Sequence, residues 1–349
     1  MPVWWRHQYP PRLDVAIHTL KLAGYSFSKE CVVSEPSCAP QRKKYYAKIP
    51  LSFEEQVTLL EKRGVVIDIP RDKVVFLFSQ ISYYHLEAYW FQFYDKKEEE
   101  HLFLPGTTFS QTWNVYCFDR KLRELLFHAL ERMEISIKTK FAYILASTYH
   151  SSHPLKEKNF LGKESAFAKA YDELKNEVGK SKETFIDHYK NACAEEVPPI
   201  WVAVEIMSFG EIAYWYNNVL LVSVRKAIAK EYGVLSDKVF GSWIFHLSYI
   251  LNICGHHLRL WNKRMTIIPA CYVYDHTLKK AWRQNTQEDP YASRKLYNSL
   301  IMIDYIWQRI CPDEKLKWRN HLFELMEEYH IRTAEMGFPE NWKTMDYWR

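Results

Sequence analysis

The sequence predicts an all-α protein, and three observations support this. Apolar residues between positions 109 and 149 recur at the spacing of one long helix. Only 10 of the 349 residues are glycine, which argues against an all-β or glycine-loop architecture. Runs of alternating polar and apolar residues, typical of half-buried strands, are nearly absent. The length is sufficient for one large domain or two.

Charge and cysteine content limit the classes of function. A net charge of +5 permits nucleic acid as a partner without demanding it. The seven cysteines are scattered and form no CxxC pair, which favours a reduced, cytoplasmic protein over a disulfide framework. No apolar run approaches the roughly 18 residues of a membrane helix, and the N-terminus lacks an apolar segment. We therefore expect neither a membrane span nor a signal peptide.

The first 50 residues form a predicted N-terminal arm that is rich in basic and aromatic residues. Arg42, Lys43 and Lys44 are followed directly by two tyrosines. Such a cluster could hold phosphates and stack on bases, or it could be a solvated linker, and the sequence leaves both open. A short helix is predicted over residues 13–22.

After residue 50, helix signals follow one another, separated by a charged loop at 96–101. We predict helices over residues 53–62, 71–94, 109–149, 163–178, 182–193, 200–207, 222–232, 241–264, 292–310 and 313–329. Ser52 and Ser236 are predicted N-caps, and Gly64 and Gly233 are predicted helix stops. Gly210 is predicted to allow a sharp turn between two helices.

The stretch Tyr249–Arg264 contains the most informative polar residues. Helical spacing would place Asn252, His256 and Arg259 on one face of an otherwise apolar helix. Polar groups are costly to bury without partners, so this face indicates either a site or a core histidine satisfied by Asn252 and the backbone. A zinc clamp on Cys254 and His257 would need two further ligands that the sequence does not offer, so no metal site is predicted.

Residues 251–262, Leu-Asn-Ile-Cys-Gly-His-His-Leu-Arg-Leu-Trp-Asn, carry a family resemblance. They resemble the signature Arg-Asn-x-Cys-Ala-His-x-x-Arg-Leu-Trp-Asn of the Abi-like (AbiD/AbiF) abortive-infection proteins, which belong to the HEPN superfamily of helical, metal-independent ribonucleases. Similar blocks lie at 50–67, 116–123, 131–134 and 198–216. The resemblance implies a HEPN-type helical bundle over residues 51–265, preceded by the arm at 1–50 and followed by a C-terminal helical extension at 266–349.

The resemblance also implies roles for single residues. His256 takes the position of the catalytic histidine, and Asn252 that of the polar residue after the motif arginine. A histidine can move protons near neutral pH, and an arginine can stabilise charge on a phosphate undergoing attack. Leu251, which stands where the family has that arginine, can do neither. Either Arg259 or Arg264 substitutes for it, or the protein binds RNA without cutting it, or the chain is an inactivated variant.

Other side chains could support this site. His257 lies next to His256, and Lys263 and Arg264 follow as predicted RNA-binding residues together with the arm cluster. Glu131 could orient His256 or pair with a motif arginine, or it could belong to a structural ion network between helices. Glu205 is a second acidic candidate.

Three classes of function remain open. The resemblance implies a ribonuclease toxin of phage defence, of the abortive-infection or toxin–antitoxin type, acting in the bacterial cytoplasm. It further implies RNA as substrate, a cognate small non-coding RNA as a further partner, a homodimer with sites formed across both copies, and no cofactor. The alternative is a non-catalytic RNA-binding module, and a helical protein-interaction protein is a third reading. Cleavage of RNA without added metal would discriminate between the first two.

Overall fold

The structure, a computed structural model, describes residues 49–95, 101–160 and 164–349. Over these ranges it contains thirteen α-helices, short 3-10 segments and three isolated β-bridges, and no strand. The all-α prediction is confirmed. The arm, with its predicted helix at 13–22 and the cations Arg42, Lys43 and Lys44, lies outside the described residues, as does most of the predicted loop at 96–101.

The described chain divides into two compact units, residues 49–121 and residues 122–349. The first unit begins with α1 (Phe53–Lys62), and Ser52 caps it as predicted. The Ser52 hydroxyl accepts a bond from the Glu55 amide, and the Glu55 carboxylate accepts one from the Ser52 amide at 2.7 Å. Gly64 follows with a φ of 96°, so the predicted stop is also confirmed.

The single helix predicted over residues 71–94 is wrong. It is divided into α2 (Arg71–Gln80), α3 (Tyr83–Glu87) and a 3-10 turn at Phe91–Phe93. Ile81 is extended, and the Ser82 hydroxyl accepts a bond from the His85 amide, which starts a new helix. A serine that caps the following turn competes with continuation of the preceding helix.

Helix α4 (Phe109–Tyr149) has 41 residues and confirms the predicted long helix. At 1.5 Å per residue it is about 60 Å long. The boundary between the two units, after Lys121, lies within it. The apolar residues at helical spacing that are buried include Val115, Phe118, Leu122, Leu125, Leu126, Ala129, Met133, Ile137 and Phe141.

The second unit continues with a series of shorter helices. They are α5 (Glu164–Lys180), α6 (Thr184–Ala192), α7 (Ile200–Ile206), α8 (Phe209–Asn218), α9 (Val222–Glu231) and α10 (Asp237–Gly255). The turn between α7 and α8 is at Met207–Ser208, where Met207 is extended and Ser208 caps α8. Gly210 lies inside α8, so the prediction that it forms the turn is wrong. A Cβ on Gly210 would lie 3.4 Å from the Ser248 hydroxyl of α10, which shows how closely these two helices approach.

Three further helices follow: α11 (His276–Ala281), α12 (Tyr297–Ile310) and α13 (Lys317–Glu328). The helix predicted over 292–310 is interrupted, since a 3-10 turn at Ala292–Arg294 precedes α12. All residues of α12 from Tyr297 to Trp307 are buried, and α10 packs against α12 as well as against α8 and α9. Trp307, Trp318 and Trp342 are buried.

A buried ionic network joins the end of the chain to α12. The Arg319 guanidinium lies 2.6 Å from the Asp304 carboxylate, and the Tyr347 hydroxyl donates to the same carboxylate at 3.0 Å. A carboxylate at 0% exposure needs such partners, because an unpaired buried charge is strongly destabilising. The C-terminal residues are therefore part of the core of the second unit.

Candidate functional site

The candidate site lies at the end of α10 and in the residues that follow, 256–265, which we call the motif loop. Helix α10 ends at Gly255, so the prediction that this helix continues to Arg264 is wrong. The Leu258 amide donates to the Ile253 carbonyl at 3.0 Å and the His257 amide to the Cys254 carbonyl at 3.1 Å. These two hydrogen bonds define a Schellman cap, which requires a left-handed backbone conformation at the second residue after the helix end. His257 occupies that position with a φ of 56°.

The cap changes where the predicted catalytic side chains lie. Asn252 and His256 remain one turn apart, and the His256 amide donates to the Asn252 carbonyl at 3.0 Å. Arg259, by contrast, lies beyond the helix end, so the predicted common face holds only for Asn252 and His256. Leu251, at the position of the family arginine, is half-buried within α10.

The exposed polar side chains are Asn252, His256, His257 and Arg264. Within the part of the chain that the structure describes, the side chains of Asn252, His256 and His257 make no hydrogen bond or ion pair. Arg259 and Lys263 are half-buried and do engage other residues. The two histidines therefore present ring nitrogens that are available to a ligand.

Buried residues and bonds from two directions fix the motif loop. Leu260, Trp261 and Met265 are each at most 1% exposed. The guanidinium of Arg123, a buried residue of α4, lies 3.5 Å from the Leu258 carbonyl. At the far end, the Met265 amide donates to the Arg294 carbonyl at 2.7 Å. The exposed side chains are thus carried on an anchored backbone.

The sequence around the motif loop is cationic. From residue 239 to residue 274 there is no Asp or Glu, whereas Arg259, Lys263 and Arg264 carry positive charges. The Arg264 guanidinium carbon lies 3.8 Å from the ring centroid of Tyr291, so the guanidinium is stacked on an exposed tyrosine. Such a stretch favours an anionic ligand over a metal ion.

Neither acidic candidate is joined to this site. Glu131 is exposed on α4, and Glu205 is exposed on α7, where it lines an open groove of about 580 Å³ together with Tyr143 and Trp201. No hydrogen bond or ion pair connects Glu131 or Glu205 to His256 within residues 49–95, 101–160 and 164–349. A role for either carboxylate in orienting His256 stays a prediction.

His246 is a histidine of α10 that the sequence analysis did not single out. It is fully buried, its Nδ1 donates to the Ile267 carbonyl at 3.0 Å, and its Nε2 accepts from the Ser299 hydroxyl at 2.7 Å. Burial lowers the pKa of this imidazole from 6.5 to about 3. Both ring nitrogens are satisfied, so His246 is a structural residue. The sequence indicates this structural role, because His246 lies between Phe245 and Leu247 in an apolar run.

In their geometry and hydropathy, the described residues meet the requirements of neither a metal site nor a membrane-spanning helix. The described residues include no group of three or more His, Cys, Asp or Glu side chains placed to hold a metal ion. No helix in the described ranges is long and apolar enough to span a bilayer.

Comparison with known proteins gave one match. The sequence model of the family described as Abi-like protein matches residues 77–262. The match begins within α2 and ends in the motif loop, so it contains Leu251, His256 and Arg259 but neither Arg264 nor Tyr291. The similar block at 50–67 lies outside it. No curated protein and no solved structure matches significantly.

The extent and content of this match decide the family. It covers more than half of the 349 residues and includes the whole of α10 with its histidine signature. Membership supports a role in abortive infection, a form of phage defence. The chain belongs to the Abi-like protein family.

Proposed function

We propose that the protein is a metal-independent endoribonuclease of the HEPN type that acts in phage defence, with His256 as the proton-transfer residue. The observation that carries this proposal is the pair of exposed histidines, His256 and His257, on an anchored turn in a stretch without carboxylates. An imidazole with accessible nitrogens can remove or supply a proton at neutral pH.

The reaction needs no group beyond RNA and the protein. The 2′-hydroxyl of a ribose attacks the adjacent phosphorus and loses its proton to a base, while the 5′-oxygen leaves and gains a proton. The products are a 2′,3′-cyclic phosphate and a 5′-hydroxyl. His256 would act in one of the two proton transfers, and a nearby cation would stabilise the charge on the phosphate oxygens.

The identity of that cation is the open part of the mechanism. Leu251 is apolar and half-buried and supplies no charge. Of the two possible substitutes, Arg264 is exposed, whereas Arg259 is half-buried and engaged with other residues. These differences support Arg264. If neither arginine acts, the protein is a non-catalytic RNA-binding module, and Leu251 is the observation that favours this second function.

The test is cleavage of a mixed RNA pool by the purified protein in the presence of EDTA. We expect products with cyclic-phosphate ends, and we expect His256→Ala to abolish them. His276→Ala is the matched control, because His276 is an exposed histidine outside the motif loop. Cleavage that EDTA abolishes, or that His256→Ala leaves unchanged, would contradict the proposal.

Leu251→Arg distinguishes an active enzyme from an inactivated one. A phosphate contact in a transition state is worth about 3–4 kcal/mol, or about 100- to 1000-fold in rate. If the motif arginine has been lost without replacement, this substitution should increase cleavage by that factor, and adding His256→Ala should remove the gain. If Arg259 or Arg264 already acts, Leu251→Arg should change the rate little, and replacing the acting arginine with alanine should abolish cleavage.

A further inference from the structure

The pair Arg264–Tyr291 lies just beyond the family match, which ends at residue 262. Both side chains are exposed, and the guanidinium carbon is 3.8 Å from the ring centroid. Within the described residues Arg264 makes no hydrogen bond and no ion pair. Stacking therefore holds the guanidinium plane against the ring while its N–H groups, which lie in that plane, remain available.

Backbone bonds fix the two residues relative to each other. The Met265 amide donates to the Arg294 carbonyl at 2.7 Å, and the Arg294 guanidinium donates to the Met265 carbonyl at 3.2 Å. The Arg294 amide in turn donates to the Tyr291 carbonyl at 2.8 Å. Arg264 directly precedes Met265 in the chain, and Tyr291 is hydrogen-bonded to Arg294. The stack therefore forms on a preorganised backbone.

The carboxylate of Asp289, two residues before Tyr291, is already matched by cations. Asp289 accepts a bond from the Tyr291 amide at 3.3 Å and lies 3.3 Å from Lys295 and 3.8 Å from Arg283. Neither Arg264 nor Arg294 has a carboxylate partner within the described residues. The guanidinium charges of Arg264 and Arg294 are therefore not neutralised by carboxylates of the described residues.

We propose that Arg264, positioned by Tyr291, binds a backbone phosphate of RNA, so that the segment after the family match extends the RNA-binding surface. A planar guanidinium suits phosphate oxygens because its N–H groups donate in pairs. Tyr291 is a positioning residue here, since it acts through Arg264. The inference rests on the proposed function only for the class of ligand, and it does not require that the RNA be cleaved.

The experiment measures binding separately from cleavage. Fluorescence anisotropy with a labelled single-stranded RNA whose riboses are 2′-O-methylated gives the affinity, because this RNA lacks the attacking hydroxyl. Measurements at several salt concentrations give the slope of log affinity against log salt. One phosphate contact on a single strand contributes about 0.7 to this slope. If the contact contributes nothing at 1 M salt, it is worth about 5- to 10-fold in affinity at 50 mM salt.

We expect Arg264→Ala to weaken binding by that factor and to lower the slope by about 0.7. Tyr291→Leu should reproduce most of the loss of affinity, and Tyr291→Phe, which keeps the ring face, should not. Lys343→Ala is the matched control, because Lys343 is an exposed cation over the ring of Trp342 at 5.6 Å in another part of the unit. Circular dichroism of each variant should match that of the wild type.

The possible outcomes separate this inference from the proposed function. Unchanged affinity and slope in Arg264→Ala would overturn the inference, even if the protein cleaves RNA. An equal loss in Lys343→Ala would also overturn it, because the effect would then be one of net charge. Binding that depends on Arg264 and Tyr291 without any cleavage would support the inference and contradict the endoribonuclease. If the wild type binds no RNA, both fail.

Discussion

His257 holds a backbone conformation that glycine normally supplies. At the ends of α1 and α9 the equivalent positions are Gly64 and Gly233, with φ values of 96° and 70°. At the end of α10 the same pair of cap bonds encloses His257. A residue with a Cβ loses about 1–2 kcal/mol in this region of φ. Backbone strain of this kind is found more often at positions where the side chain has a function.

Replacing His257 with glycine should therefore stabilise the fold and impair the site. Relief of strain is partly offset by the greater freedom of glycine in the unfolded chain, about 0.4–1 kcal/mol. We expect the free energy of unfolding in urea to rise by up to about 1.5 kcal/mol. We expect RNA affinity and cleavage to fall, because the variant lacks one of the two exposed imidazoles.

His330 provides the control for this substitution. It ends α13 with a φ of 46°, and its amide and that of Ile331 make the same two cap bonds, to Glu327 and Met326. His330→Gly should give a similar gain in stability with unchanged RNA cleavage. If His257→Gly also leaves cleavage and affinity unchanged, His257 is no part of the RNA site.

The sequence predicted the identity of the candidate residues better than their arrangement. His256 and Asn252 stand out because polar residues in an apolar helix are unusual, and Leu251 stands out because it occupies the position of the family arginine. The end of α10 at Gly255 was not foreseen, because the left-handed residue after it is a histidine and not a glycine. Tyr291 could not be connected with Arg264 at all, since their stacking depends on tertiary structure between residues 27 positions apart.

Helix α10 is held in place by a buried histidine whose pKa is lowered, so that it is neutral at neutral pH. His246 connects it to the carbonyl of Ile267 and to Ser299 of α12. The folded pKa of about 3 lies below the unfolded value of 6.5. The unfolded chain therefore takes up a proton in this range and the folded chain does not, so stability falls as the pH falls from 6.5 towards 3.

We expect this group alone to remove about 2 kcal/mol of unfolding free energy between pH 7 and pH 5. His246→Asn retains an amide that can donate to the Ile267 carbonyl and does not titrate. Urea unfolding of both proteins at the two pH values isolates the effect, since all other groups are shared. Equal losses in wild type and variant would show that His246 is not responsible.

Local capping explains which helices were predicted correctly. The bounds of α1 were close because Ser52 and Gly64 agree with the apolar spacing, and the end of α9 was close because Gly233 follows it. The prediction over 71–94 failed because Ser82 caps α3 although the apolar residues continue. Gly210 was misassigned because a glycine can serve close helix packing as well as a turn.

The oligomeric state of the protein is a further proposal. Family resemblance implies a homodimer in which two motif helices contribute to one site. Light scattering at micromolar concentration should then give twice the chain mass of 41.9 kDa. A monomer under these conditions that still cleaves RNA would contradict a composite site.

Charge is unevenly distributed along the chain. Residues 1–48 contain eight Lys or Arg and three Asp or Glu, a net charge of 8 − 3 = +5. Since the whole chain is also +5, residues 49–349 balance to zero, with 39 of each sign. The second unit itself, residues 122–349, has 31 Lys or Arg and 28 Asp or Glu, a net charge of 31 − 28 = +3. Its attraction for an anion thus depends on this small positive charge and on the local arrangement around the motif loop.

Because α12 is buried, the protein should remain assembled as two non-covalently associated pieces after a single cut of its backbone. Residues 284–288 form an exposed segment between α11 and α12. A chain nicked there would keep α12 in the core beside α10, through the Ser299–His246 bond and the contact of Tyr305 with Trp243 at 5.6 Å. The two pieces should elute together from a sizing column and separate only in denaturant. Reassembly from separately expressed halves would then offer a way to form the folded protein at a chosen moment.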